Sequence, residues 1–314
     1  SCRTPRARSK SRSATEGVIH LFLEETRMIQ NSFLHLPGIG ESTERKLWDQ
    51  GVRSWDDLEC SLGDVFGKKK AAAVAVGLEE SRVAYESGEF KYFQSRLKSA
   101  HTWRLVPSCA DSVAYLDIET TGLGFPPVSH STTIAVMFRG ELFVEHEESR
   151  KRELLERLEN EAKLMVTFNG LCFDLPFLRQ EFDLELGMPH VDLRVWLRRH
   201  DLKGGLKAIQ AALPEVHQRS SMDIDGFDAV RLWRMHKRGV PRALETLMTY
   251  NAEDSVCLQP LLYLAYAREL EAHSHLRLQS LPEAPVLPAI STQVDPFVYG
   301  LLRGEEQWNV PEGW

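Results

Sequence analysis

The sequence lacks any run of about 20 apolar residues, the length that a membrane-spanning helix needs, so no membrane span is expected. It is also poor in cysteine. The five (Cys2, Cys60, Cys109, Cys172 and Cys257) are odd in number and scattered, and no two have CxxC spacing. That argues against a disulfide framework and against a zinc site, and fits incidental thiols in a reducing cytoplasm. No apolar stretch backs the basic start, Ser1 to Gly17, so no secretory leader is expected. A surplus of positive charge is missing too. The formal net charge is -7, which excludes a uniformly basic nucleic-acid-binding surface but leaves room for a local basic groove. Five basic residues (Arg3, Arg6, Arg8, Lys10 and Arg12) precede the first acid, Glu16. Residues 1–16 therefore read as a solvated, disordered arm.

What remains is ordinary for a globular chain. The 314 residues, 43% hydrophobic and 26% charged, leave room for one large domain or two smaller ones with a sizeable core. Residues 18–29 form a short helix or strand. Residues 41–50 carry a helical pattern that stops at Gly51. Ser54 can cap a second helix, with Asp57 placed for a capping box, and residues 68–99 are mostly helical. The part up to residue 100 is thus all-α. From His101 the pattern changes. Val113 to Leu116 reads as a buried strand, and Thr132 to Phe138 as a second. Arg139-Gly140 turns into a third strand at Glu141 to Glu145. A charged helix at residues 149–160, a strand at 164–168, a helix at 175–181 and a short strand at Val191 follow. Gly204-Gly205 marks a turn, one long helix covers residues 243–272, and from Ser280 a Pro-rich tail reads as extended. The order implies an α/β mixed sheet flanked by helices, preceded by a small all-α module. The expected divisions are 1–16, 17–100, 101–275 and 276–314.

The strongest chemical signal is Asp117-Ile118-Glu119-Thr120-Thr121-Gly122. Residues two apart on a strand share a face, so Asp117 and Glu119 can aim two carboxylates at one point. Two such groups repel each other, and a divalent metal removes the conflict. Asp174, in Asn169-Gly170-Leu171-Cys172-Phe173-Asp174, lies at a strand-to-helix junction; taken alone it reads as a first-turn acid. Tyr250 and Asp254 are four apart on a helix and share a face; taken alone they read as a core tyrosine and a solvated acid. Asp192, at the end of the Val191 strand, reads as a turn or capping acid.

In combination and order, DxE, NxxxFD and YxxxD resemble the three motifs of the DEDD exonuclease superfamily, in its subclass with tyrosine in the last motif. The wording of residues 173–178 looks like the proofreading domain of B-family DNA polymerases, and the whole resembles the stand-alone YprB-type proteins. The resemblance covers roughly residues 112–270. It implies a ribonuclease H-like fold and two-metal hydrolysis of phosphodiesters, usually from a 3′ end, with two Mg²⁺ or Mn²⁺ ions. It further implies Asp117 bridging both ions, Glu119 and Asp254 on the nucleophile side, Asp174 on the other, and Tyr250 placing the attacking water. Asn169 and Phe173 are candidates to line the cleft.

Leu36-Pro37-Gly38-Ile39-Gly40 with the helix after it resembles a helix-hairpin-helix motif. Gly38 and Gly40 let the backbone approach a phosphate, Ile39 anchors the hairpin, and Lys46 can add a contact. Gly67-Lys68-Lys69-Lys70 can extend a basic surface. Such contacts read backbone rather than sequence. The expected partner is nucleic acid, DNA ahead of RNA, with no membrane. The expected activity is 3′→5′ exonucleolytic. The rivals are a catalytically silent scaffold on the same fold, and an endonuclease or RNA-processing enzyme.

Overall fold

The computed structural model describes residues 28–213, 219, 224–273 and 280–308. The basic arm and most of the segment at 18–29 lie outside the described residues; Met28–Asn31 is a short 3-10 turn. Four helices follow: α1 (Glu41–Asp49), α2 (Trp55–Val65), α3 (Lys68–Glu86) and α4 (Phe90–Gln94). Their starts obey local chemistry. Ser54 accepts from the Asp57 N–H while the Asp57 carboxylate accepts from the Ser54 N–H, closing the capping box of α2. A 3-10 stretch (Ser99–Leu105) and α5 (Val106–Cys109) then lead into the sheet.

The sheet has five strands, β1 (Val113–Thr120), β2 (Ser131–Phe138), β3 (Glu141–Glu145), β4 (Leu164–Thr167) and β5 (His190–Asp192), in the order β3-β2-β1-β4-β5. Strands β1 to β3 form an antiparallel meander, whereas β4 pairs parallel with both β1 and β5. The parallel pairings need crossovers, and helices supply them: α6 (Glu148–Glu161) precedes β4 and α7 (Asp174–Phe182) precedes β5. After β5 come α8 (Leu193–Arg198), α9 (Leu206–Ala212), α10 (Gly226–Lys237), α11 (Ala243–Val256), α12 (Leu258–Ala272) and α13 (Pro296–Arg303).

Alternation along β1 sorts its side chains. Ala114, Leu116 and Ile118 pack with Leu155 and Leu158 of α6 and Phe177 and Phe182 of α7. On the opposite face Val113 and Tyr115 join a core that runs through Trp103 and Trp196 to Phe33, Leu47, Trp55 and Phe93 of the N-terminal helices. The helical part and the sheet therefore share one core. A buried ion pair ties them as well. Arg104 donates from Nη1 to Glu44 Oε1 (2.7 Å) and from Nη2 to Glu44 Oε2 (2.9 Å). Removing one partner of such a pair leaves the other charged and dry, which typically costs about 3–5 kcal/mol.

Two expectations fail. The long last helix is two helices, broken at Cys257. Pro260 explains the break, because a proline ring excludes the carbonyl four residues earlier, here that of Val256, the last residue of α11. The Pro-rich tail is not wholly extended either. Asp295 accepts from the Phe297 and Val298 N–H groups, and Pro296 fits the first helical position. The resulting α13 buries Val298 and Leu302 in a small core with Leu232, Leu247 and Tyr250. Among the described residues no helix is long and apolar enough to cross a membrane.

Candidate metal centre

Strand β1 lies in the middle of the sheet, and its Tyr115 face continues into Asp117 and Glu119. Helix α11 covers that face. Ser255 fixes it there: its Oγ donates to the Tyr115 carbonyl (2.8 Å) and accepts from the Met137 N–H of β2 (3.1 Å). One turn earlier, Asn251 Nδ2 donates to Asp117 Oδ2 (2.7 Å). This register brings Asp254 to the strand. Asp117, Glu119 and Asp254 each offer a carboxylate oxygen, and the three oxygens lie within 4.8 Å of one another.

Asp174 stands outside that close group but within electrical reach of it. Burial raises the Asp117 carboxyl well above the usual range, and the charges of Asp254, Asp174 and Glu119 push the same way. Glu119 behaves alike, through burial and then Asp254. The Asp174 carboxyl is pushed up to about 7 by burial, against the pull of its own and the Ile118 backbone N–H groups. Tyr250 is buried beside them. Burial, with the charges of Asp254, Glu119 and Asp117, raises its hydroxyl far above the ordinary value, so it stays protonated.

The approach to Asp174 is built by backbone constraint. Asn169 takes a left-handed conformation at φ 69°. A Cβ on Gly170 would collide with Thr167 Oγ1, which accepts the Gly170 N–H at 3.1 Å. Asp192 holds this loop from below: its carboxylate accepts from the N–H groups of Asn169 (2.9 Å), Leu171 (3.1 Å) and Arg194 (2.9 Å). Asp192 thus caps α8 and braces the loop that delivers Asp174. Of the two cleft candidates, Asn169 accepts from Arg194 Nη1 through its side-chain oxygen (2.7 Å). Phe173 packs in an aromatic group with Phe125 and Phe177, centroids 5.8 and 5.6 Å away.

Three residues at the centre escape sequence reasoning. Asn251, next to Tyr250, is the partner of Asp117. Arg219, fully enclosed, pairs with Asp254 and with Glu253 (3.6 Å), and its Nη1 donates to Gln210 Oε1 (2.9 Å). Lys207 places its Nζ 4.3 Å from the centroid of the Tyr250 ring. Only Asn251 carried a local signal, a position one residue from Tyr250 on a helix already facing β1. Arg219 and Lys207 come from segments without a motif.

The hairpin residues belong to the other end of the shared core. Gly38 is exposed with φ 70°, a conformation that suits glycine, Ile39 is buried, and Gly40 is the N-terminal cap residue of α1. Lys46 is exposed in the last turn of α1, and the Lys70 side chain lies beside Gly38, its Cε 3.6 Å from where a Cβ would stand.

A divalent metal fits this centre. The donors are carboxylate oxygens, the hard ligands that Mg²⁺ and Mn²⁺ take. Their charge exceeds what Arg219 and Lys207 offset, and burial with mutual repulsion makes the excess costly until a cation balances it. Residues 114–266 match the family model of the RNase_H superfamily. This region has a ribonuclease H-like fold. Among solved structures, the chain is similar to the family B DNA polymerase from the hyperthermophilic archaeon Pyrobaculum calidifontis, at 19% identity and a TM-score of 0.39, over 51% of this chain and 24% of the polymerase. The chain thus spans about a quarter of that polymerase's length. No curated protein matches the sequence. The superfamily match and the acidic group together point to a nuclease.

Proposed function

We propose that the protein is a DEDD-type nuclease that hydrolyses phosphodiester bonds, working as a 3′→5′ exonuclease on DNA. The observation that carries this is the convergence of Asp117, Glu119 and Asp254 oxygens within 4.8 Å beside a buried tyrosine. Asp117, Glu119, Asp254 and Asp174 are the residues to hold two ions, Mg²⁺ or Mn²⁺. Once bound, such ions acidify a water and stabilise the leaving oxygen. The chain's own residues do the rest. Tyr250 keeps its proton, so it orients the water by hydrogen bonding and does not act as a base. Asn251 fixes the rotamer of Asp117, and Asp192 fixes the loop before Asp174. In the reaction the water oxygen joins phosphorus and gives up a proton to solvent, the bond to the 3′ oxygen breaks with its electron pair, and that oxygen takes a proton from solvent. The product is a nucleoside 5′-monophosphate.

The hairpin at Gly38, Ile39 and Gly40, with Lys46 in the helix after it and the Lys70 side chain beside Gly38 in space, supports a grip on the sugar-phosphate backbone that is independent of base identity. DNA is favoured over RNA on the strength of this hairpin. The exonuclease claim is tested on linear, 3′-blocked and circular single strands with Mn²⁺. Linear strands are expected to shorten to mononucleotides, with blocked and circular ones intact. Cleavage of a closed circle would make the enzyme an endonuclease.

A further inference from the structure

Lys207 sits on α9, just after the Gly204-Gly205 turn, and its side chain reaches into the centre. Its Nζ is buried, has no hydrogen-bond partner among the described residues, and lies 4.3 Å from the Tyr250 ring centroid. Burial lowers its pKa from the ordinary value; the negative charge of Asp254 opposes this, the repulsion of Arg219 adds to it, and Glu119 opposes it again. An ammonium group has three donors, and a buried one with none used is costly unless something arrives to accept them. The carboxylates nearby attract it without bonding to it.

The neighbouring cation has a different position. The Arg219 guanidinium is already committed to Asp254, Glu253 and Gln210. A bidentate acidic clamp of that kind leaves it a structural counter-ion to α11. Lys207 is the cation kept in reserve, next to the tyrosine that orients the water and on the side of the site where Glu119 and Asp254 lie. A group that brings acceptor oxygens and negative charge to this spot in the course of turnover is the scissile phosphate itself.

We infer that Lys207 is a substrate-contacting catalytic residue that donates to a nonbridging oxygen of the scissile phosphate and, after cleavage, to the 5′-phosphate of the released nucleotide. This assignment rests on the nuclease reading above. The lysine contributes charge and a hydrogen bond at the phosphoryl group as that group becomes more negative at the transition state.

The test uses the full chain as wild type, Asp117→Ala, Lys207→Met, Lys207→Gln and Lys207→Arg. Methionine preserves the length and the contact with the Tyr250 ring, glutamine is a second neutral replacement, and near-ultraviolet circular dichroism checks that each variant is folded. Calorimetry measures Mn²⁺ binding, then binding of adenosine 5′-monophosphate and its 2′-deoxy counterpart in saturating Mn²⁺. Steady-state cleavage gives kcat. For the neutral variants we expect monophosphate affinity to fall at least about tenfold and kcat about 100-fold, the usual effect of removing one such donor. Mn²⁺ affinity should be unchanged or tighter, because a positive charge near the carboxylates has been removed. Lys207→Arg should restore part of the phosphate binding. A lysine that serves only as counter-ion to Glu119 and Asp254 would shift Mn²⁺ binding alone. If folded neutral variants bind the monophosphate like wild type, the assignment is overturned while the nuclease reading stands. If the wild type binds neither Mn²⁺ nor monophosphate and cuts nothing, the nuclease reading goes and the assignment with it.

Discussion

Asp117, Glu119 and Asp174 carry the energetic signature of the site. Glu119 and Asp174 are buried and Asp117 is half-buried, and each has its carboxyl raised above the usual range, Asp174 to about 7. The sign of the linkage follows. A carboxyl whose folded value is raised binds more protons in the native state than in the unfolded one. Its contribution to stability is complete below the unfolded value of about 3.9 and is lost as pH rises through the folded value. The metal-free protein should therefore melt at falling temperature between about pH 5.5 and pH 7.5. Mn²⁺ binds the ionised form, so it should raise the melting temperature, and raise it more at the higher pH. Asp117→Asn keeps an acceptor for Asn251 and removes one buried charge. It should stabilise the metal-free protein by about 1–2 kcal/mol, flatten the pH trend and weaken Mn²⁺ binding. Differential scanning fluorimetry across pH, with and without Mn²⁺, reads all three effects. A metal-free melting temperature that climbs over that pH range in a single cooperative transition would contradict this electrostatic account.

At the scale of elements, the site is a matter of register between α11 and the two strands beneath it. Ser255 is the pin: one hydroxyl satisfies both a β1 carbonyl and a β2 amide. Ser255→Ala removes two hydrogen bonds to buried backbone groups, at a cost of about 1–3 kcal/mol, and loosens the hold of the helix on the strands. We expect a lower denaturant midpoint, together with weaker Mn²⁺ binding, although Ser255 touches no ligand. Normal Mn²⁺ affinity in a destabilised variant would mean that the register is held elsewhere. This scale also separates what the sequence makes legible from what it hides. The alternation Ala114-Leu116-Ile118 against Asp117-Glu119 is local, so β1 and its acidic end are readable directly. Tyr250 and Asp254 are readable as a helical pair, but their meeting with β1 depends on Ser255 and Asn251, whose roles exist only across more than 100 residues of chain. Lys207 and Arg219 approach from segments with no periodic pattern or motif, so no local rule marks them. The break at Cys257 was written in Pro260, and the start of α13 in Asp295-Pro296. In both places the local signal prevails over the broader pattern, a long helical run in one and a Pro-rich tail in the other.

For the whole molecule, the helical part and the ribonuclease H-like part share a core through Trp103 and Trp196, whose rings stack at 6.1 Å, and through the Arg104–Glu44 pair. The expected division at residue 100 therefore does not separate two independently packed cores. Residues 101–275 expressed alone would expose the apolar face that Phe33, Leu47, Trp55 and Phe93 cover. That fragment should melt at least about 10 °C lower than the full chain and bind a hydrophobic dye before melting. A fragment as stable as the full chain would show that the helices are an appended module. In the intact chain, one core of packed aromatics lies between the hairpin at Gly38, Ile39 and Gly40 and the acidic centre. The central claim is that the Asp117 group cuts nucleic acid, and one comparison tests it most directly. Wild type and Asp117→Ala are incubated with Mn²⁺ and end-labelled single- and double-stranded DNA and RNA. The proposed function predicts Mn²⁺-dependent cleavage by the wild type, strongest on DNA, and loss of that cleavage in the variant, because Asp117 would hold the metal that acidifies the water. Equal cleavage by the two proteins would contradict it.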